Sequence, residues 1–453
     1  MIIARLRRIK TLIAAVMVIF TVAVSAAEKV KIVILASADI HGKVETLRSS
    51  AIPALQKEFD AAGNNAVYVD VGDTAQGTFD VDCSRGIAAI KALNQANCTV
   101  WVPGNHELEF GFNAFKELVK TFSGDVLAAN LHAPELQQLV KPYKIVSINK
   151  VKVAFIGLMI KDMNNSFPVS EKRFQTLPGR AALRKSINSA RKEGAEVIVL
   201  LRHAGIYGAG ENLADLLHDM PEIDLVIGAH THTADAGTLV SKIWYVQPPA
   251  HGEAMIKAVL YFDLAARRVS QIESELIALK SVKEKLSKHA MKKCIPADND
   301  NNFVAKRIRR ALKADLAIYA VGSMRNMREL ILLPEPRLID YYRVFNHFDP
   351  IITVKVTSAE VRTIVREYAR LTRERKQYLA VDGFTYDAPH GKLRWINFAE
   401  NKKSYILAIS AYAAAGAGGM LPETRRILKN RIDLQAAEKA HGVLSYIAVE
   451  AVE

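Results

Sequence analysis

Seven polar residues have the types and the order to bind divalent metal: Asp39, His41, Asp73, Asn105, His203, His230 and His232. They offer two carboxylates, one amide oxygen and four imidazoles, a donor set suited to Zn²⁺, Mn²⁺ or Fe and free of soft thiolate. Two cations about 3.5–4 Å apart need a bridging carboxylate. Asp73 is the natural bridge, because Gly72 before it lets the backbone turn sharply into a site. A lone Asp-x-His such as 39–41 is more often a turn or cap than a ligand pair. The loop Gly104-Asn105-His106-Glu107 is sharper, since it carries an amide, an imidazole and a carboxylate together. In His230-Thr231-His232 the alternation aims both rings to the same side of an extended segment. Their joint occurrence, in this order, points to a dinuclear site.

These residues span nearly 200 positions, so the fold has to gather them. Short runs rich in Val and Ile at 30–35, 66–69, 99–102, 151–158, 197–201 and 225–227 alternate with amphipathic stretches such as 45–60 and 84–97. That alternation predicts an α/β layered domain. Each candidate ligand follows one of these runs, and the carboxyl ends of strands form a common rim in open α/β sheets. Asn149-Lys150 predicts a hairpin within 143–158, and 265–268 predicts another.

The 453 residues, 50% hydrophobic and 24% charged, exclude a small disulfide scaffold and a disordered chain, and predict two domains. Residues 1–27 carry Arg5, Arg7, Arg8 and Lys10, then an apolar run, then Ser25-Ala26-Ala27. This is the pattern of a signal peptide, with a run too short for a membrane span of about 20 residues. The expectation is a periplasmic or secreted protein without a membrane anchor after cleavage. The net charge of +14 falls to +10 without those four residues, an excess that draws anionic partners without choosing among them. Cys83, Cys98 and Cys294 leave the pairing open. The Lys-rich and then Asp/Asn-rich stretch 277–302 reads as a linker and hinge between a domain at 28–276 and a second, smaller α/β domain at 303–453.

The quoted loops, with Gly228-Ala229-His230-Thr231-His232, resemble the calcineurin-type metallophosphoesterases. The whole layout resembles the secreted 5′-nucleotidase family, which includes UDP-sugar hydrolases and cyclic-nucleotide phosphodiesterases. The resemblance implies a four-layer metallophosphoesterase β-sandwich flanked by helices. It also implies that Asp39, His41, Asp73 and His232 hold one metal, and Asp73, Asn105, His203 and His230 the other. His106 would steady the transition state or protonate the leaving group, oriented by Glu109 where the family usually has Asp. Asn130 would support the loops, and Arg202, beside a ligand candidate, is an alternative phosphate contact. In the second domain Gly322-Ser323-Met324-Arg325 matches a phosphate-binding segment, with Arg328 as a companion and Ala320 where the family has Asn. Phe345 and Tyr412 are the implied base-stacking aromatics, with His347 or Phe348 as register alternatives to Phe345 and Gly418 where an acidic residue is expected.

The function so implied is that of an exported, monomeric phosphohydrolase with two divalent ions (Zn, Mn or similar), releasing phosphate from nucleoside 5′-monophosphates by a metal-activated water. UDP-sugars or 2′,3′-cyclic nucleotides are the alternative substrates, and no nucleic-acid partner is expected. Thiosulfate-carrier hydrolases share the architecture but alter the Asn-His step that is intact at Asn105-His106. A periplasmic nucleotide-binding protein is the non-enzymatic alternative.

Overall fold

The computed structural model describes residues 28–48, 51–63, 65–161, 173–207, 211–279, 286–297, 302–321, 324–345, 350–375, 378–387, 394–396, 402–416, 420–428, 430–432, 440 and 442. Two sheets face each other in the N-terminal part. The first runs in the order β15 (Arg268–Ala278), β14 (Ala254–Asp263), β1 (Lys29–Ser37), β2 (Val67–Asp70), β3 (Val100–Trp101), β4 (Asp125–Leu127) and β6 (Val140–Lys141). The second runs β12 (Asp235–Val240), β13 (Ile243–Gln247), β11 (Leu225–Ile227), β10 (Val197–Arg202), β8 (Val151–Leu158) and β7 (Tyr143–Ile148). In each sheet the central strands are parallel, from β1 to β6 and from β8 through β10 and β11 to β13, while β14, β15, β7 and β12 are antiparallel additions. A short pair, β5 (Leu131–His132) with β9 (Gln175–Thr176), lies outside both.

Alternation within each strand explains the layers. Ile32, Ile34 and Ala36 of β1, Val67 and Val69 of β2, and Val197, Val199 and Leu201 of β10 point into a shared apolar interior between the sheets. Leu35, Tyr68 and Trp101 point the other way, under the helices between residues 45 and 121. Ile198, Leu200 and Ile156 do the same on the second sheet, under the helices Gly179–Lys192 and Leu213–Leu217. Because both faces are covered, these strands read as continuous Val/Ile/Leu runs. The result is the expected four-layer sandwich. Both hairpins are present, and Asn149 and Lys150 adopt positive φ of 49° and 70°, as a tight two-residue turn requires.

The C-terminal part has a mixed sheet in the order β17 (Ile351–Val356), β21 (Tyr405–Ser410), β16 (Leu316–Val321) and β18 (Tyr378–Asp382). The helices Phe303–Leu312, Met324–Ile331 and Leu338–Val344 cover one face, and Ser358–Glu374 and Pro422–Leu428 the other. A hairpin of β19 (Thr385–Asp387) and β20 (Arg394–Ile396) completes it.

The boundary differs from the expected linker at 277–302. Residues 277 and 278 still belong to β15, and Ala290, Cys294 and Ala297 are buried in the C-terminal core. Backbone bonds from Cys294 N to Pro336 O (2.8 Å) and from Leu338 N to Lys292 O (2.9 Å) fasten 286–297 to that unit. The small apolar residues among the lysines turn inward while the lysines stay solvated. Among the described residues the three cysteines carry free thiols, and Cys98 Sγ donates to Val100 O at 3.2 Å. No described helix is long and apolar enough to cross a membrane, and the signal pattern at 1–27 lies outside the described residues.

Candidate metal centre

All seven ligand candidates meet at one rim. Asp39 and His41 follow β1, Asp73 follows β2 and Asn105 follows β3, while His203 follows β10 and both His230 and His232 follow β11. Five of them adopt left-handed backbone: Asp39 (φ 52°), His41 (47°), Asp73 (54°), His230 (75°) and His232 (57°). Bulky residues avoid this region unless their surroundings impose it. Here the loops impose it on one another, since Asp39 N donates to Gly72 O (2.8 Å) and His41 N to Asp73 O (2.9 Å). Gly72, at φ +93°, lies so close to the next loop that a Cβ would sit 2.4 Å from Gly104 N.

The donor atoms form two groups, Asp39–His41–His232 and Asp73–His203–His230, each with its atoms within 4.8 Å of one another. A third group joins His41, Asp73 and His106. In His203, Nδ1 lies 2.6 Å from Val71 O, so Nδ1 carries the proton in the neutral ring and Nε2 offers its lone pair. That Nε2 is 3.0 Å from Asp73 Oδ2 yet lacks hydrogen-bond geometry. Asn105 Oδ1 and His230 Nδ1 are likewise buried without a hydrogen-bond partner. Unpaired buried acceptors are costly, and a cation among them would satisfy all three. In the other group His41 Nε2 and His232 Nε2 are 3.0 Å apart, and His232 Nε2 is 3.7 Å from Asp39 Oδ1. Gln76 Oε1 holds His41 Nδ1 at 3.2 Å, which directs the other ring nitrogen toward the cluster. The residues present therefore fit the binding of divalent metal at this rim.

Electrostatics follows burial. Burial pushes Asp39 up to about 7, despite its carboxylate accepting from His230 N at 2.9 and 3.0 Å. Burial also pulls His41 and His230 down to about 4 and lowers His232, keeping these rings in the neutral, ligating form. For Asp73 and His203 burial opposes charge on both, but their mutual attraction wins and holds Asp73 low and His203 high. His106 is likewise opposed by burial, but Glu109 Oε1, 2.5 Å from its Nδ1, helps raise it to about 9. The Glu at 109 thus reaches the ring. The other nitrogen, Nε2, is 3.9 Å from Asp73 Oδ2.

Two further residues matter. Glu107 was visible only as part of a loop motif, yet its buried carboxylate accepts four backbone N–H groups: Asp73 (3.0 Å), Thr74 (2.8 Å), Ala75 (2.9 Å) and Gly104 (2.6 Å). It ties the Asp73 loop to the Asn105 loop. His251 follows β13 at the same rim, with no motif in the sequence to mark it. Its ring lies 5.6 Å from that of His41 and 5.7 Å from that of His232, and its N–H donates to Asp39 O at 2.7 Å.

The remaining expectations divide. Asn130 bridges loops, its side chain bonding Met159 N and O, each at 2.9 Å, and Leu177 O at 3.2 Å. Arg202 turns away from any phosphate role: it is buried and donates to Gly205 O at 2.7 Å and to Glu211 O, bracing the His203 loop. Phe345 is a correction as a stacking platform, because it is only 4% exposed and packs in the C-terminal core, 6.2 Å from the Tyr319 ring. Its apolar ring is worth more in the core than at a wet surface. Tyr412 is 43% exposed, in the helix Ala411–Ala414. Arg328 is exposed on the helix Met324–Ile331, which also contains Arg325, whose side chain lies outside the described ones. His347, Phe348 and Gly418 also lie outside the described residues.

Residues 32–234 match the calcineurin-like phosphoesterase family. A snake venom 5′-nucleotidase from Gloydius brevicauda is 27% identical over 231 residues, 46% of this chain and 38% of that protein. A 2′,3′-cyclic-nucleotide 2′-phosphodiesterase/3′-nucleotidase from Haemophilus influenzae is 30% identical over 207 residues, 40% of this chain and 31% of that one. The chain thus matches about a third of the length of these relatives. A 5′-nucleotidase precursor from Thermus thermophilus shares the fold at a TM-score of 0.57 and 17% identity, over 93% of this chain and 98% of that one. Over residues 32–234, somewhat under half of its length, the chain is thus similar to the calcineurin-like phosphoesterases. 5′-Nucleotidases stand among the proteins it resembles in sequence.

Proposed function

We propose that this chain is an exported phosphohydrolase with two divalent cations that releases phosphate from nucleoside 5′-monophosphates. The observation that carries the reading is the grouping of His203 and His230 with Asp73, in which the buried His203 Nε2 and His230 Nδ1 have no hydrogen-bond partner of their own, as has the buried Asn105 Oδ1 of the neighbouring loop. Asp39, His41, Asp73 and His232 hold one cation, and Asp73, Asn105, His203 and His230 the other. The cation pair supplies charge to bind phosphate oxygens and lowers the pKa of the attacking water.

The chain's own residues do the rest. His106 presents Nε2 toward the substrate and passes a proton to the departing oxygen, while Glu109 fixes the ring through Nδ1. Glu107 keeps the Asp73 and Asn105 loops at their separation. Arg325 and Arg328 contact the phosphate, and Tyr412 stacks on the base. With Phe345 committed to the core, base recognition rests on fewer groups than expected, which favours tolerance among bases. A phosphodiester substrate is the second reading, supported by the Haemophilus influenzae relative.

The test is phosphate release from AMP, UDP-glucose, 2′,3′-cAMP and p-nitrophenyl phosphate by protein stripped of metal and refilled with Mn²⁺ or Zn²⁺. Metal-restored AMP cleavage, lost in Asp73→Ala, is the expected result. Preference for 2′,3′-cAMP would move the assignment to the second reading, activity on p-nitrophenyl phosphate alone would discard the nucleotide, and silence on all four would overturn the function.

A further inference from the structure

Asp82 lies outside the ligand set, in the short helix Phe79–Cys83 that follows the Asp73 loop. Its side chain is buried and serves two partners. Oδ1 accepts from Gly77 N at 2.8 Å, and Oδ2 accepts from Tyr342 Oη at 2.7 Å across 260 residues of sequence. Tyr342 belongs to the helix Leu338–Val344 of the C-terminal unit. The neighbouring Phe79 meets the Tyr342 ring edge-on at 5.5 Å and packs within the C-terminal core rather than its own. One carboxylate therefore joins the metal-ligand loop to the other half of the molecule.

Gly77 is not a passive partner. It follows Gln76, which holds His41 Nδ1, and a Cβ on Gly77 would sit 2.6 Å from His41 O. Thr78 Oγ1 donates to Gly42 O at 2.9 Å, and Gly42 N donates to Thr74 O at 3.1 Å. The His41 loop and the segment 73–78 are thus laced together, and Asp82 anchors that segment. On the far side, the helix Leu338–Val344 shares the C-terminal core with Met327 and Leu330 of the helix that contains Arg325 and Arg328.

We propose that Asp82 is a positioning residue that ties the seating of the C-terminal unit to the cation held by His41, acting through Gly77 and Gln76. This rests on the metal-centre reading above and adds a route by which the substrate-binding half sets the geometry of one cation and not the other. His203 is held separately, through its Nδ1 against Val71 O, while Asp73, which the two positions share, is held by Glu107 as well as by this segment.

The experiment is Mn²⁺ binding to the stripped full chain, followed by calorimetry, with a melting curve for each variant. Asp82→Ala raises the Kd of one of the two ions about tenfold, the lower end of what loss of a partner behind a ligand does, and leaves the other within about twofold. Tyr342→Phe, which keeps the ring packing and removes only the hydroxyl, moves the same ion in the same direction by a smaller factor. Asp82→Asn, which keeps an acceptor for Gly77 N, restores most of the affinity. In steady-state assays Tyr342→Phe raises KM more than it lowers kcat. Unchanged binding of both ions in folded Tyr342→Phe and Asp82→Asn, together with unchanged or misfolded Asp82→Ala, overturns the proposal, as does equal weakening of both ions. An unaltered chain that binds no Mn²⁺ overturns the metal-centre reading itself, and this inference with it.

Discussion

The short contact between His106 and Glu109 separates two contributions that mutation can divide. His106→Ala keeps the backbone N–H that donates to Asp73 Oδ1 at 2.8 Å, so metal content stays while the proton donor goes. Turnover is expected to fall by about 10²-fold or more, with KM little changed, in steady-state assays paired with metal analysis. Glu109→Gln keeps the length and loses the charge, and is expected to lower kcat about tenfold. Glu107→Gln tests a different property. A carboxylate accepting four N–H groups becomes an amide with one oxygen, and its NH₂ faces donors. The loss is on the order of 3 kcal/mol, measured by denaturation of the metal-free protein. At this scale the seven candidates were legible because type, order and place after a strand coincide in all of them. Glu107 was seen but not its task, since nothing in a sequence says which backbone groups a carboxylate will meet. Phe345 failed because an aromatic beside Asn reads the same whether it stacks on a base or fills a core.

At the scale of elements, the helix Ser358–Glu374 carries its own pH dependence. Thr357 and Glu360 form a reciprocal cap, and Arg431 binds the Glu360 carboxylate at 2.6 and 2.8 Å. The Arg431 pairing and the cap hold Glu360 at about 2, below its ordinary 4.5. The stabilisation is complete above pH 4.5 and is lost as pH falls toward 2, because the unfolded chain takes up the proton first. Calorimetry from pH 5 to 2 should show a steeper fall in melting temperature for the natural chain than for Glu360→Gln. The difference is on the order of 1–2 kcal/mol after solvent screening. Elements were legible where both faces are buried, and the strands observed at 29–37, 67–70, 151–158, 197–202 and 225–227 lie within a few residues of the runs that announced them. Strands left largely exposed on both faces, such as β12, gave no comparable run. The segment 286–297 misled because three buried small residues sit among charges that dominate its composition.

The whole N-terminal sandwich closes around its rim. Asp39, Asp73 and Asn105 come from the first sheet and His203, His230 and His232 from the second, so cations held by them would act as cross-links between layers. Removing metal with a chelator is expected to lower the melting temperature, by an amount equivalent to about 2.7 kcal/mol when the metal had stood at 100 times its Kd. The dry interior between the sheets is untouched by the chelator, so the transition stays cooperative. The order of the first sheet has a consequence for synthesis. β1 lies between β2, which follows it closely in the chain, and β14, which ends at Asp263. A ribosome has therefore made most of the domain before one edge of this interior strand finds a partner. Ile32, Ile34 and Ala36 lack their cover until the second sheet, which ends at Gln247, has been made, and the free edge of β1 stays open longer still, until translation passes β14, so the emerging polypeptide depends on being kept from pairing with its neighbours over that time.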